Sequence, residues 1–371
     1  MNRNCKNLLE KFDLRQLLNR FGKILLILSS LFIANVAEAR IAILACEPEL
    51  GALAREIVGK YVDVANATRA NQNPALLIAR DTKLNGKITR AYMVFCYGGG
   101  LENEWLPDLI RRSGNFKIRS GESVLMASDY VNKINNPNLL MENASPKDFK
   151  GASGGDKSSS SVDENVTDAN KQNRNIARPH LNPKNMINIA AAFTNRIKII
   201  DPANAKSYQD AYEQFVIKWN QKLLEWQEIA APLSGSSVMA SNDSWIYLAE
   251  WLNFNLIKIE EKNGLAISHR RVRELISALK NNPPKMILYA DFEDNNIKGS
   301  IAKLSQELKV RVVFLPFTVG GTVGSEDIYK LYENTVRRLV TDCSKVVCST
   351  SDYRSLSDYI KYDKTNTMKS Y

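Results

Sequence analysis

A site that holds a metal ion or drives a reaction needs several donor side chains in one place, and this sequence supplies few of the strongest kind. Histidine occurs only at His180 and His269 in 371 residues. His180 lies in "ARPHLNPKNM" (177–186), ahead of an Asn182-Pro183 pair that reads as the start of a helix, so it could be a ligand on a rigid support. His269, in "ISHRRVREL", opens a helical pattern amid three arginines and reads as a solvated surface residue. Glu47 and Glu49 follow the first apolar run, and a Cys46, Glu47 and Asp243 cluster would make a carboxylate site. Asn242 and Asp243 precede another helical pattern and read first as its cap, with Asp243 able to lend one oxygen. Acyl-transfer chemistry finds little here. No G-x-S-x-G elbow occurs, and two histidines leave little for a triad.

Beyond Cys5 near the start, the cysteines are Cys46, Cys96, Cys343 and Cys348. An even number in an exported chain suggests disulfides, and four cysteines allow three pairings. Cys46 and Cys96 each end an apolar run and could meet at the edge of one sheet. Cys343 and Cys348 could close a small loop. A thiolate metal site lacks the usual C-x-x-C spacing.

Short apolar runs alternate with helical patterns along the chain. "RIAILA" (40–45), "VDVA" (62–65) and "AYMVFCY" (91–97) read as strands, with "PELGALAREIVGKY" a helix after the first and a polar loop between the second and third. "ENEWLPDLIRR" reads as a helix that Pro107 interrupts or starts. After Gly235 the alternation resumes, with strands in "SSVMA", "NLIKI", "KMILYA" and "VRVVFLPF". Helical patterns lie at about 243–252, 268–280, 297–308 and 326–340. Alternation of this kind predicts parallel α/β sheets. Between the two halves, Tyr208, Tyr212, Phe215, Trp219, Leu223, Trp226 and Ala230 recur at steps of three or four, predicting one long helix from Pro202 to Ala230. Residues 150–176 are rich in Ser, Asn, Asp and Gly and cannot bury a core of their own.

The first 39 residues read as an export leader. Six basic residues against Glu10, Asp13 and Glu38 make it +3 and leave +7 of the chain's +10. An apolar core, "ILLILSSLFIANV", is followed by "AEA", the order of a cleaved signal peptide, and its thirteen residues are too few to span a bilayer. The remaining chain, with an overall hydrophobic content of 44%, is long enough for two lobes. A modest positive excess without a Lys/Arg run gives no case for nucleic acid.

Together these pieces resemble the zinc- and manganese-type solute-binding proteins of bacterial ABC importers. The resemblance rests on "ILACEPELGALAREIVGKYVDV", on "SDYV" with "NPKN" and "DPANAKSYQDAYEQFVIKWNQKL", and on "NDSWIYLAEWLNF" and "VVFLPFTVGGT". It runs from about residue 40 to 341. It implies a two-lobed periplasmic-binding-protein fold, α/β, each lobe a parallel sheet flanked by helices and the lobes joined by a long helix. The implied division is a signal peptide at 1–39, an N-terminal lobe at 40–201 with the 150–176 insertion, a linking helix at 202–230, a C-terminal lobe at 231–342 and a polar tail at 343–371. It implies a Zn²⁺ or Mn²⁺ ion carried as transported ligand, no catalytic cofactor, an inner-membrane ABC permease as partner, and a monomer.

The family's metal site is usually three histidines and a carboxylate, and this chain departs from it. Anchoring on Pro74 puts Ala75 in the first histidine slot, and anchoring on Asp81 puts Asn73 there. An ungapped alignment on "HLNP" places Arg178, a fixed cation, in the second slot and His180 two residues beyond. A two-residue deletion makes His180 the ligand instead. The ungapped register is preferred because Leu181-Asn182-Pro183 starts the helix well. The third slot falls on Asn242 beside Asp243, and the fourth on Leu315 before Pro316. Glu47 and Glu49 could face the cleft. Two readings follow: a periplasmic component of a divalent-metal importer with an altered site, or an envelope interaction protein that keeps the fold without binding metal.

Overall fold

The computed structural model describes residues 40–341 except 71, 75, 76, 78, 80, 99, 119, 120, 132, 133, 135–139, 142–177, 242, 260–266 and 291–294. The expected leader at 1–39, the insertion at 150–176 and the tail with Cys343 and Cys348 lie outside these residues, as do Ala75 and Asn242.

The first sheet contains β1 (Ile41–Ala45), β2 (Val62–Asn66), β3 (Ala91–Cys96) and β4 (Val124–Met126), in the order β2-β1-β3-β4. All its pairings are parallel, with Leu44 beside Val94 and Val94 beside Val124. Parallel strands need crossovers, and here helices supply them. The first crossover is α1 (Pro48–Val58), the second α2 (Thr82–Arg90) and the third α3 (Leu106–Ser113). The segment expected as a polar loop between β2 and β3 thus contains a helix. Asp81 caps it by accepting from the amides of Lys83 and Leu84 at 2.8 and 3.1 Å. Pro107 starts α3 rather than breaking it.

The second sheet is ordered β5-β7-β6-β8-β9 and is also all parallel. Its strands are β5 (Leu140–Met141), β6 (Ser237–Ala240), β7 (Asn255–Lys258), β8 (Met286–Tyr289) and β9 (Arg311–Phe314). The last four lie where the apolar runs predicted them. The short edge strand β5 comes from chain that precedes the insertion. Among the described residues, α6 (Ile246–Leu252), α7 (His269–Leu279) and α8 (Asn295–Leu308) cross over between the later strands, and α9 (Ile328–Val340) follows β9.

Two further helices sit between the sheets in sequence, α4 (Asn185–Ile200) and α5 (Ala205–Ala230). At about 1.5 Å per residue, the 26 residues of α5 extend roughly 39 Å. The whole predicted stripe of α5 faces inward. Tyr208, Phe215, Trp219, Trp226 and Ala230 are buried, and Tyr212 and Leu223 pack partly against the same core. That core is continuous from Ile43 and Phe95 of the first sheet, through α5 and α9, to Val238, Leu288 and Val313 of the second. No helix among the described residues is long and apolar enough to cross a membrane.

One disulfide ties the first sheet, joining Cys46, just past the end of β1, to Cys96 at the end of β3 across a sequence separation of 50. It lies on the two central strands, so the expected meeting place at a sheet edge is corrected to the sheet's interior. In the chain-entropy model a loop of this length stabilises the fold by about 4 kcal/mol. The double variant Cys46→Ala, Cys96→Ala should therefore shift the urea unfolding midpoint downward by that equivalent. An unchanged midpoint would show that the bridge constrains little.

Candidate functional site

In an open parallel sheet, a crevice forms outside the carboxyl ends of neighbouring strands whose crossovers leave in opposite directions. In the order β2-β1-β3-β4 that point lies between β1 and β3. The chain places Cys46, Glu47 and Glu49 after β1, and Tyr97 and Glu102 after β3. Pro48 opens α1, with Glu47 at its N-cap position in extended backbone, φ −116° and ψ 154°. The Glu47 side chain does not cap the helix. Glu49 lies in the first helical turn, where the helix dipole favours negative charge.

A second segment, residues 178–184, closes over this crevice. Four elements hold it. The Trp219 indole of α5 donates to the Pro183 carbonyl at 2.9 Å. The Tyr332 hydroxyl of α9 donates to the His180 carbonyl at 2.6 Å. The Asn182 amide group donates to Glu250 of α6 at 2.9 Å, and Asn185 at the start of α4 donates to the Pro179 carbonyl at 2.8 Å. Tyr332 is itself packed between Trp219 and Trp226, with ring centroids 5.3 and 5.2 Å away. The expected helix start at Asn182 moves to Asn185. Pro179–Leu181 forms a 3-10 turn, and the Asn182 side chain accepts from the Lys184 amide at 3.1 Å, a local turn that competes with helix.

His180 is fully buried at the meeting of the two halves. Its ring stacks on Tyr97, centroids 5.1 Å apart and planes 20° apart, and meets Phe317 edge-on at 5.6 Å. Nε2 lies 2.9 Å from the Phe317 carbonyl oxygen. A carbonyl only accepts, so Nε2 carries the proton and Nδ1 keeps its lone pair. Burial pushes the imidazole down to about 3, so it stays neutral. Nδ1 has no hydrogen-bond partner among the described residues and lies 3.6 Å from Glu49 Oε1. A neutral imidazole with one N–H on a backbone carbonyl and a free lone pair on the other nitrogen is arranged as metal-ligating histidines are.

Three carboxyls surround it. Glu47 is 1% exposed, Glu49 0% and Glu102 2%. Glu102 Oε1 accepts from the backbone amides of Tyr97 and Gly98 at 3.1 and 3.2 Å. Its Oε2, and both carboxyl oxygens of Glu47 and Glu49, accept from no ordinary donor among the described residues, and Glu47 and Glu102 are close enough to share a hydrogen bond when one of them is protonated. Burial raises all three from the usual range. Glu47 goes well above it, with the neighbouring Glu102 and Glu49 charges adding to the rise. Glu49 goes to about 7, and Glu102 is raised as well. Arg178, 3% exposed, acts on all three in the opposite direction. With every group ionised, three carboxylates and one guanidinium carry a net charge of −2. In a buried space that charge must be neutralised by protons or by a cation.

Of the residues singled out in the sequence, Glu47, Glu49, Arg178 and His180 converge here. Asp243 lies in a 3-10 turn, Asp243–Trp245, at the carboxyl end of β6, and the Trp245 ring meets Phe317 edge-on at 5.0 Å. Nothing is described of the Asp243 side chain. Asn73 is partly buried in the segment after β2. Nearby, Ala70 accepts a hydrogen bond from the Thr318 hydroxyl at 2.5 Å, tying that segment to the one after β9. His269 is solvent-exposed at the head of α7, as expected. Leu315 is buried and offers no donor. Tyr97 and Glu102 were not anticipated. The signal that points to them is their place just beyond a strand end, in "CYGGGLE", beside the switch point.

A family model for the periplasmic zinc-uptake complex component A matches residues 43–342. Among solved structures, ZnuA is similar at 16% identity and TM-score 0.60, covering 81% of this chain and 98% of that one. A manganese-bound periplasmic metal-binding protein from Candidatus Liberibacter asiaticus is similar at 15% identity and TM-score 0.60, with coverage of 81% and 98%. A cadmium-bound structure of the protein from that organism gives 15%, 0.59 and the same coverage. At these identities the structures show a shared fold. No curated protein matches the chain by sequence.

Proposed function

This chain belongs to the family of the periplasmic zinc-uptake complex component A, and from that premise we propose that it is the periplasmic substrate-binding component of an ABC-type divalent-metal importer. Its cargo is manganese or zinc, delivered to an inner-membrane permease, and it acts by binding rather than by catalysis. The leader at 1–39 supports export. The division into lobes at 40–201 and 231–342, joined through 202–230, is retained with the monomeric state.

The observation that carries the reading is the orphaned donor set at the switch point. His180 Nδ1 and the carboxyl oxygens of Glu47 and Glu49 are buried without partners among the described residues, and the fully ionised cluster carries −2. A divalent ion can replace the protons that otherwise neutralise it. The 3.6 Å between His180 Nδ1 and Glu49 Oε1 is close to the roughly 3.3 Å between two donors bound about 2.0 Å from a tetrahedral ion. Carboxylates outnumber imidazole in this set, which suits Mn²⁺ better than the histidine-rich set suits it. Asp243 remains a candidate for a further oxygen. In this reading His180, rather than the slot held by Arg178, is the ligand from its segment.

Purified, metal-stripped protein titrated with Mn²⁺ and Zn²⁺ by calorimetry tests this. One equivalent should bind, and metal at about 100 times Kd should stabilise the protein by about 2.7 kcal/mol, seen as a higher melting temperature. No heat and no melting shift at 100 μM of either ion would sink it. The second reading, an envelope interaction protein that keeps the fold without metal, would then stand. Arg178 favours that alternative, because its guanidinium already places one fixed positive charge among the carboxyls.

A further inference from the structure

The cysteine pair carries a second inference, at a site that borders the cargo cluster through Glu102 and Glu47. The ligand atoms of Cys46, Cys96 and Glu102 lie within 4.8 Å of one another, and this is the one such triad among the described residues. All three side chains are buried. The strand ends fix the two cysteines with their Cα atoms 4.7 Å apart. Two backbone amides hold Glu102 in place through Oε1, while Oε2 is buried without a partner among the described residues. Glu47 adjoins Glu102.

We propose that Cys46, Cys96 and Glu102 form a redox-gated metal site: closed as a disulfide, and open when reduced to a thiolate-carboxylate site for one soft or borderline divalent ion. In the closed state both sulfurs are bonded to each other and bind nothing. Two equivalents of a small-molecule thiol reduce the bridge. The first thiolate attacks one sulfur and expels the other as a thiolate, and the second releases the mixed disulfide. Two protein thiols and one small disulfide result, with two electrons and two protons taken up by the protein. A divalent ion of the zinc, cadmium or cobalt type then displaces both thiol protons to solvent. It gains two sulfur donors and the Glu102 oxygen, and water completes four-coordination. The cargo site contains no sulfur, so the two sites differ in softness and in redox dependence.

Cobalt(II) reports the site, because thiolate coordination gives a sulfur-to-cobalt charge-transfer absorption that oxygen and imidazole ligands do not. The full protein, reduced anaerobically with dithiothreitol and cleared of reductant, should develop that band at one equivalent of Co²⁺. The oxidised protein should not. The band should persist in Cys343→Ala, Cys348→Ala and vanish in Cys46→Ala, Cys96→Ala. Glu102→Gln, which keeps an oxygen to accept from the two amides, should weaken cobalt binding at least tenfold. The proposal is overturned if the reduced protein, shown folded by circular dichroism, gives no band, or if the band survives loss of Cys46 and Cys96. It is equally overturned if alkylation and peptide mass analysis show that this disulfide resists the reductant, or if reduction unfolds the protein. None of these outcomes touches the calorimetric test of the cargo site, which is run on the oxidised form.

Discussion

Replacing Glu49 with glutamine should make the metal-free protein more stable at pH 8, by about 2 kcal/mol, and abolish its stabilisation by Mn²⁺ or Zn²⁺. Glu49 is buried, and burial raises its folded value to about 7 from 4.5. A carboxyl raised on folding gives its full contribution below pH 4.5, where it is protonated in both states. That contribution is lost between pH 4.5 and 7, as the unfolded chain releases the proton that the folded chain still holds. A rise of this size corresponds to about 3 kcal/mol, all of it missing by pH 8. Glutamine has the same shape and no charge to bury, so it recovers most of that loss. At pH 4.5 the substitution should have almost no effect. Chemical denaturation at the two pH values, with and without metal, checks the pattern. A variant no more stable at pH 8, or one that still gains stability from metal, would show that Glu49 neither carries the charge penalty nor binds the ion.

The second large effect is expected at Arg178. Among the described residues it is the one cation that acts on all three carboxyls, lowering each against the burial that raises it. Removing one partner from a buried charged network typically costs about 3–5 kcal/mol. Arg178→Gln should cost this much at pH 8 and less at pH 5, because protonation of the remaining carboxyls relieves the imbalance. Divalent metal should stabilise the variant more than the parent, since the fully ionised cluster then carries −3 instead of −2. Melting temperatures across pH, with and without Mn²⁺, separate these effects. A pH-independent loss, or a smaller metal effect than in the parent, would show that Arg178 acts through packing alone.

Much of the fold was legible because parallel sheets write themselves as short apolar runs. Most strands from β1 to β9 fall where such runs occur, and the stripe of α5 was readable from its spacing. The elements that escaped are those whose patterns are weak. In α2, Leu84 and Ile88 are the buried residues, and a glycine sits between them. Strand β4 has three residues and β5 two, below the length at which periodicity is visible. The site was harder. His180 and Arg178 compete for one slot in the sequence, whereas folding buries both, because their segment is pinned by Trp219, Tyr332 and Glu250 through contacts 36 or more residues apart in sequence. Glu47 and Glu49 carried a local signal, a carboxylate pair after a strand. Glu102 carries only its place beyond the end of β3, and that gains meaning once β1 and β3 are known to be neighbours.

The unbroken core that runs from the first sheet through α5 and α9 into the second has a mechanical consequence. A binding protein whose halves meet across a thin hinge can swing open as two rigid bodies, exposing its cleft at little cost. Here such a swing would tear Tyr332 of α9 from Trp219 and Trp226 of α5 and break a single hydrophobic body in two. The Phe317–Thr318 stretch, hydrogen-bonded to His180 and Ala70, belongs to that same body, since the Phe317 ring also meets those of His180 and Trp245. Access to the buried imidazole is therefore resisted by the same packing that joins the two sheets.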